Sequence, residues 1–329
     1  MRDNPIGQAV WLDLSGTMTE TILISPFAGC GPQQIPNRVY SDNGLYQREM
    51  EAFFYKGHWC YVALECEIPN AGDYKATMIG ERPVIVVRDR DGSVNVLENR
   101  CAHKGAKFCQ KEFGNVKVFV CPYHQWGYRL NGDLAGVPMK NGVGGEGGRD
   151  ADFKLEEHGH NRLRVHVHNG IVFASFDPDV EAFESFISAE LMPFFNRTFD
   201  GRKLTLLGYN RQRIRGNWKL MQENIKDPYH PGLLHTWFVT FGLWRADNKA
   251  ALKMDAHHRH AAMISTRGNA GKQSDVSQVS SFKSSMALED PRFLDIVHED
   301  WWGEPTAVMT TIFPSVIFQQ QVNSVSTRH

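Results

Sequence analysis

Several features that would define a class of function are scarce or absent in this sequence of 329 residues. No apolar run approaches the length of a transmembrane helix, and the N-terminus lacks the charged-then-apolar order of a signal peptide. The formal net charge is −1, so no excess of positive charge predicts binding to nucleic acid or to an anionic membrane. The glycine-rich run 141–148 lacks the strand–loop–helix order of a nicotinamide-binding site. These absences favour a cytoplasmic globular protein whose partners include neither nucleic acid nor membrane.

Cysteine is also scarce, because six residues in a chain of this length are no disulfide framework. Two of the six stand beside a histidine, in a Cys101-x-His103 pair and a Cys121-x-x-His124 pair separated by 17 residues. The other four are expected to be free thiols in a reducing compartment: Cys30, Cys60, Cys66 and Cys109.

The two Cys/His pairs predict a metal centre. A Rieske 2Fe–2S cluster uses two cysteines on one iron and two histidines on the other. A structural zinc ion is the alternative, since it accepts the same four ligands. Zinc fingers usually pair cysteine with cysteine and histidine with histidine, whereas here each loop contributes one of each. Gly105 and Pro122 keep the ligand segments turn-like, and the pattern favours the Rieske cluster over zinc.

A second informative stretch follows in the later half of the chain. Asn224, Asp227 and His230 are spaced by three and can share one face of a helix. His235 lies five residues beyond His230, about 140° round a regular helix. Pro231 disrupts the hydrogen bond to the carbonyl of residue 227, and a helix broken there can bring both imidazoles to one point. The alternative is a helix end with two unconnected histidines, and this stretch alone does not decide between the two.

Together the two stretches resemble the large, catalytic subunits of Rieske non-haem iron ring-hydroxylating oxygenases. The resemblance covers essentially everything after the first 46 residues. It implies that Cys101 and Cys121 bind the inner iron of the cluster, and that His103 and His124 bind the outer one.

The same resemblance assigns the second stretch to a mononuclear Fe(II). His230 and His235 are the two imidazoles of a two-His-one-carboxylate site. Asp227 is the bridge by which His124 of one subunit communicates with His230 of its neighbour in a ring of three. Asn224 lies near this iron in some relatives.

Within the family, the run NWKLMQENIKDPYHPGLLH resembles the branch that acts on salicylate and anthranilate. The implied activity is hydroxylation of an aromatic carboxylic acid, salicylate-type to gentisate. It uses O2 and electrons that come from NAD(P)H through a reductase and a ferredoxin. The alternatives are a dioxygenase of anthranilate or another benzoate-type acid, and a Rieske electron carrier without chemistry of its own. A small β subunit, in an α3β3 or α3 assembly, is also implied.

The expected fold class is α+β. Residues 1–56 are predicted to be an N-terminal arm and helix that pack with the catalytic domain. Residues 57–177 are predicted to form an antiparallel β Rieske domain, and residues 178–329 a catalytic domain of antiparallel sheet covered by helices. The individual predictions are a helix over 41–55, a hairpin turning at Asp91-Gly92, strands over 116–120, 163–167, 171–176 and 204–209, and a broken helix in 217–235.

The substrate carboxylate is expected to meet a late strand, 312–328. If that strand is regular, alternate side chains point one way: Gln320, Val322, Ser324, Ser326 and Arg328. Arg328 offers a planar two-pronged donor, although a surface salt bridge or a subunit contact is the alternative. His258 and His260, on a predicted strand 253–265, are further candidates for the pocket wall, with ordinary sheet histidines as the alternative.

The third iron ligand of the family, an Asp in a late helix, has no counterpart here. We therefore expect the sequence to be incomplete at its C-terminus, with the carboxylate beyond residue 329. None of the available aspartates lies in the family's sequence context: Asp247, Asp255, Asp290, Asp295 and Asp300.

Overall fold

The computed structural model describes residues 29, 31, 34–235, 248–266, 305–321 and 324–329. The chain divides into two compact units, residues 1–46 and 47–329. The first contains α1 (Arg38–Ser41) and the start of α2 (Asn43–Glu49). The helix predicted over 41–55 is present as α2 and the π-helix Met50–Phe54 that follows it. It begins after Asp42 rather than at Ser41, because the Asp42 carboxylate accepts a hydrogen bond from the backbone N–H of Leu45 at 2.8 Å.

The second unit begins with a π-helix (Met50–Phe54) and continues with short strands. They are β1 (Cys60–Leu64), β2 (Asp73–Ile79), β3 (Arg82–Arg88), β4 (Val94–Glu98), β5 (Phe113–Asn115), β6 (Phe119–Val120), β7 (Gly127–Tyr128), β8 (Leu134–Gly136), β9 (Arg164–His168) and β10 (Ile171–Ser175). They pair antiparallel in three sheets, with the orders β4-β3-β2-β5, β6-β7-β8 and β1-β10-β9. Two single turns of 3-10 helix, Glu65–Glu67 and Leu155–His158, interrupt the series.

The predicted hairpin is confirmed as β3–β4. Gly92 has φ +87°, a conformation that glycine adopts without strain, and Arg88 pairs with Val94 across the turn. The strands predicted at 163–167 and 171–176 are present as β9 and β10. The strand predicted at 116–120 is reduced to the two residues of β6, because β5 has already paired with β2 just before it.

The later half of the unit supplies helices and one larger sheet. The helices are α3 (Phe183–Ile187), α4 (Met192–Thr198), α5 (Lys219–Lys226) and α6 (Pro231–Leu234). The strands are β11 (Lys249–Met254), β12 (Ala261–Thr266), β13 (Pro305–Ile312), β14 (Val316–Gln321) and β15 (Ser324–Arg328), paired antiparallel in chain order. Antiparallel sheets with short helices make the described residues an α+β fold, as predicted. No helix in this described part is long and apolar enough to cross a membrane.

An aromatic core joins the two halves of the unit. Phe173 on β10, Phe183 on α3 and Phe195 on α4 pack with Phe318 on β14, and all four are buried. Phe195 and Phe318 meet edge to face with ring centroids 5.4 Å apart.

Three strand predictions are wrong. Residues 204–209 form no strand, and Leu207 is 97% exposed, because no neighbouring strand in the described chain pairs with this run. Residues 253–265 are two strands, β11 and β12, separated by a turn at 255–260. Residues 312–328 double back as the β14–β15 pair, in which Arg328 stands opposite Ile317. Because the chain doubles back, β14 is hydrogen-bonded to β13 along one edge and to β15 along the other.

Candidate metal centres

Two equivalent turns carry the Cys/His pairs. In each, the N–H of the cysteine, Cys101 or Cys121, donates to the carbonyl five residues later. In each, the carbonyl of that cysteine accepts from the residue four positions on, Gly105 or Gln125. That fourth residue has a left-handed backbone in both turns, with φ +69° at Gly105 and +57° at Gln125. The turn-like character predicted for the ligand segments is present in both.

The two imidazoles meet at the tip of these turns. Nδ1 of His103 lies 3.1 Å from Nδ1 of His124. Two nitrogens that bind one metal ion at about 2.1 Å with a near-tetrahedral angle lie roughly 3.4 Å apart. Burial lowers the pKa of His103, and the nearby positive charges of His124, Arg149 and Lys104 lower it further. The lowered pKa favours the neutral imidazole that metals bind.

The two cysteines lie beneath the imidazoles, in the hydrophobic core of the β sheets. The hydroxyl oxygen of Tyr128 is 3.1 Å from Sγ of Cys101 and accepts the backbone N–H of Ala102 at 3.2 Å. With its oxygen accepting there, the hydroxyl is free to donate its hydrogen to the sulfur. Buried thiols inside and imidazoles at the surface match a cluster whose inner iron takes cysteine and whose outer iron takes histidine.

Aromatic side chains flank both imidazoles, and the sequence reasoning missed them. The indole of Trp126 stacks on His103 with ring centroids 4.6 Å apart and planes 8° apart. The ring centroids of Tyr123 and His124 are 3.8 Å apart. The signal was the run CPYHQW itself, in which ligand and aromatic residues alternate.

Within the described residues, no three or more His, Cys, Asp or Glu side chains surround one point closely enough to hold a single ion. A 2Fe–2S cluster does not require such a group, because each iron takes two protein ligands and shares bridging sulfides with the other. A two-His-one-carboxylate site does require a third side chain.

The break in the helix of the second stretch brings its two histidines together. α5 ends at Lys226 and α6 begins at Pro231. Nε2 of His230 lies 3.2 Å from Nε2 of His235, and Nδ2 of Asn224 lies 3.2 Å from the same His230 nitrogen. The reading of two unconnected histidines is therefore wrong, and the bent chain gathers three of the predicted side chains.

Asp227 sits on the other side of the His230 ring. Its Oδ2 is 3.2 Å from Nδ1 of His230, although the angle does not make a hydrogen bond, and its Oδ1 accepts the backbone N–H of Tyr229 at 2.8 Å. The Asp227 side chain is 47% exposed, so it can face a second group. A carboxylate beside Nδ1 leaves Nε2 as the metal-binding nitrogen.

Arg328 lies within electrostatic reach of this pair. Its guanidinium donates to Oε1 of Gln319 on β14. Burial, then the charge of His230 and that of Arg328, lower the pKa of His235. Gln320 is turned the other way, since it is buried and its Oε1 accepts from Nε of Arg197 at 3.1 Å. The prediction that Gln320 and Arg328 point the same way is wrong, because Arg328 pairs with Ile317 and Gln320 with Val325, which places the two side chains on opposite faces of the sheet.

The other two pocket candidates belong to the turn 255–260. His260 is buried, donates from Nε2 to the carbonyl of Phe186 at 2.7 Å and accepts at Nδ1 from the N–H of Phe313 at 3.1 Å. Burial lowers its pKa. With both nitrogens engaged, it is a core residue, and its prediction as pocket wall is wrong. His258 is exposed in the same turn, not on a strand.

Of the five aspartates considered above for the third iron ligand, Asp255 is the one that lies within the described residues. It is buried, and its Oδ1 accepts the backbone N–H of His260 at 2.7 Å, so it shapes the turn. The other members of the set lie outside the described residues, as does Val322 of the predicted pocket wall: Asp247, Asp290, Asp295 and Asp300.

Comparison with known proteins identifies both halves. Residues 58–145 match the model of the Rieske [2Fe-2S] domain, and residues 194–329 match the ring hydroxylating alpha subunit (catalytic domain). The chain is 65% identical over 306 residues to the large oxygenase component of salicylate 5-hydroxylase from Ralstonia sp, which spans 92% of this chain and 72% of that protein. It is 39% identical over 298 residues to the anthranilate 1,2-dioxygenase large subunit of Burkholderia cepacia, spanning 90% and 70%.

A solved structure shows the same fold. Naphthalene 1,2-dioxygenase from Rhodococcus sp., bound to indole, superposes with a TM-score of 0.68 at 25% identity, over 87% of this chain and 65% of that one. The Rieske match excludes the structural zinc alternative, and the catalytic-domain match excludes a simple electron carrier. The cofactors of these two domains are a Rieske 2Fe–2S cluster and a mononuclear iron. The chain therefore belongs to the α subunits of the Rieske non-haem iron ring-hydroxylating oxygenases.

Proposed function

We propose that this chain is the large subunit of a terminal oxygenase that hydroxylates salicylate to gentisate. One oxygen atom of O2 enters the ring as the new hydroxyl, and the other leaves as water with two electrons and two protons. The electrons come from NAD(P)H through a separate reductase and ferredoxin. The observation that carries the proposal is the 65% identity to the Ralstonia enzyme across 92% of the chain.

Cys101 and Cys121 hold the inner iron of the cluster in this proposal, and His103 and His124 hold the outer one. The 3.1 Å between the imidazole nitrogens supports a shared metal, and the burial of the cysteines supports their inner position. The exposed edge of His124 is the side from which an electron can leave.

His230 and His235 hold the mononuclear iron, which when bound supplies open positions for O2. Asp227 fixes the His230 ring through Nδ1, as its 3.2 Å approach supports. Its exposed half is available to His124 of a neighbouring subunit, which makes it the bridge for electron transfer. Asn224 adds a polar contact to His230 on the iron side.

Arg328 binds the carboxylate of the substrate. Its charge acts on His235, so it is close enough to the iron site to orient an aromatic acid there. The contact with Gln319 holds the guanidinium on the β14–β15 pair. A bidentate arginine suits a planar carboxylate.

The proposed assembly is three of these subunits in a ring, with or without a small β subunit, so that the cluster of one faces the iron of the next. The domain limits 57–177 and 178–329 enclose the two matched regions, 58–145 and 194–329, which supports them. Residues 1–56, the N-terminal arm and helix, are the remaining part of the proposed domain organisation.

The test is turnover by the purified protein with NADH, reductase and ferredoxin, using salicylate, anthranilate, benzoate and terephthalate under ¹⁸O2. We expect gentisate from salicylate, carrying one labelled oxygen. Preferred turnover of anthranilate with two labelled oxygens would support the dioxygenase alternative. Reduction of the chain by ferredoxin without product from any of the four acids would overturn the proposal.

A further inference from the structure

His160 is a buried histidine that the proposed chemistry does not use. It is 6% exposed, and its backbone N–H donates to the carbonyl of Gly132 at 2.8 Å. Its ring stacks on Phe108, with centroids 4.3 Å and planes 13° apart, and lies 3.7 Å from the ring of Tyr128. Phe108 and Tyr128 belong to the same core as Cys101. The imidazole is thus packed directly under the first ligand turn.

Its one side-chain hydrogen bond reaches that turn. Nδ1 of His160 is 3.0 Å from the carbonyl oxygen of Arg100. A carbonyl only accepts, so Nδ1 carries the proton and Nε2 carries a lone pair. Arg100 directly precedes Cys101, so this bond holds the last peptide before the ligand.

Nε2 of His160 is buried with no hydrogen-bond partner among the described residues. A buried acceptor without a donor is destabilising, and an apolar ring would fill the same space without that cost. What a histidine offers over phenylalanine at this position is the Nδ1–H directed at Arg100.

The ring of Tyr128 links His160 to the sulfur of Cys101. The Tyr128 hydroxyl lies between the N–H of Ala102 and Sγ of Cys101. A hydrogen bond donated to a cluster sulfur stabilises the reduced, more negative cluster and so raises its reduction potential. Its effect depends on the orientation of the Tyr128 ring, and His160 packs on the face of that ring.

We infer that His160 is a positioning residue that raises the reduction potential of the cluster by holding the Arg100 peptide and the Tyr128 ring in place. The inference rests on the proposed role of Cys101 as a cluster ligand. It assigns His160 no contact with iron, sulfide or substrate.

The test is the midpoint potential of the cluster in the purified protein, followed by circular dichroism and EPR during a redox titration. His160→Phe keeps the stacking and removes the N–H. Tyr128→Phe removes the hydroxyl. We expect both variants to lower the potential, and the double variant to lower it no further than the larger single effect. His160→Asn restores an N–H near the Nδ1 position and should recover most of the shift.

A matched control is His168→Phe, which alters a histidine on β9 whose ring lies tilted against Phe183, outside the two cluster turns. It should leave the potential unchanged. A wild-type potential and EPR spectrum in His160→Phe, with Tyr128→Phe lowered, would overturn the inference. If His160→Phe assembles no cluster, His160→Asn decides alone: a near-wild-type potential supports the inference, and a lowered one overturns it.

This measurement needs no substrate and no partner protein. A failure of salicylate turnover would therefore leave it intact. A wild-type chain without acid-labile sulfide would instead overturn the proposed ligand set.

Discussion

Pro231 shows how far one residue determines the site. It stands at the first position of α6, where its missing N–H costs nothing because that group has no partner in the first turn of a helix. The rule that proline disrupts the bond to residue 227 allowed His230 and His235 to converge, and the resemblance to the oxygenases then favoured convergence over two unconnected histidines. The position of Arg328 near His235 was not predictable as geometry, because it depends on how a strand nearly a hundred residues later folds back.

Asp227→Asn tests whether Asp227 bridges electron transfer from His124 of one subunit to His230 of the next. The change keeps the size of the side chain and removes the charge that faces Nδ1 of His230. We expect near-complete loss of turnover with both metal centres still loaded, as measured by iron content, the visible spectrum and product formation. Retention of more than about a tenth of the rate, roughly 1.4 kcal/mol on the barrier, would count against bridging.

Arg328→Gln tests the substrate anchor. A glutamine offers hydrogen bonds without charge, so the apparent KM for salicylate should rise while the iron content stays unchanged. Exposed Arg202, which pairs with Asp200, gives the control Arg202→Gln, with no expected change in KM. Unchanged KM values for both salicylate and anthranilate in Arg328→Gln would remove Arg328 from the pocket.

At the scale of elements, α5 is fastened at its first turn by a buried ion pair. Nζ of Lys219 lies 2.6 and 2.8 Å from the two carboxylate oxygens of Glu49, whose Oε2 also accepts from the indole N–H of Trp218 at 3.1 Å. The Glu49 and Lys219 side chains are 7% and 15% exposed. Gln222, one turn later, donates to the carbonyl of Pro314 at 3.0 Å. The helix that leads to Asp227 and His230 is therefore held firmly at its start.

Glu49→Gln should loosen that helix. Removing one partner of a buried pair leaves an uncompensated charge, at a cost of roughly 3–5 kcal/mol in the free energy of unfolding. Urea unfolding should show the loss, and iron analysis should show mononuclear iron lost while cluster sulfide is retained. The exposed pair of Glu51 with Arg82 gives the control Glu51→Gln, expected to cost at most about 1 kcal/mol. Equal stability of the two variants would contradict a fastening role.

The elements that the sequence predicted well are those with local signals. The Asp91-Gly92 hairpin follows from its turn type, and β9 and β10 follow from short apolar runs. The elements predicted wrongly needed long-range pairing. The strand predicted over 312–328 is instead the antiparallel pair β14–β15, and the pairing of Gln319 with Ser326 across it is a contact that the local pattern does not specify. His260 was misplaced for the same reason, because its partners Phe186 and Phe313 are distant in the sequence.

At the scale of the whole molecule, buried histidines couple stability to pH. Burial lowers the pKa of His160 to about 4 and also lowers that of His260. In the unfolded chain both imidazoles take up a proton near their ordinary pKa of about 6.5. The unfolded state therefore binds more protons between about pH 6.5 and 4, and the free energy of unfolding falls as the pH falls through that window. Above about pH 6.5 these two histidines no longer make the free energy of unfolding depend on pH.

His260→Gln should flatten this dependence. The amide can donate to the Phe186 carbonyl and accept from the Phe313 N–H, but takes up no proton. The free energies of unfolding at pH 7 and pH 5, from urea titrations, should differ less in this variant than in the wild type, by up to roughly 1.4 kcal/mol for each pH unit between about 6.5 and 5. The exposed neighbour His257→Gln is the control, with no expected change in slope. An unchanged slope in His260→Gln would show that its proton uptake is the same in both states.

The paired turns around the cluster site have a consequence for the speed of electron transfer. Backbone hydrogen bonds at Cys101 and Cys121 hold each turn, and Nδ1 of His103 stands 3.1 Å from Nδ1 of His124. Ligands held by the main chain need not shift when the iron charge changes by one unit. The reorganisation energy of a cluster bound there would then be small, which lowers the barrier to electron transfer both into and out of the site.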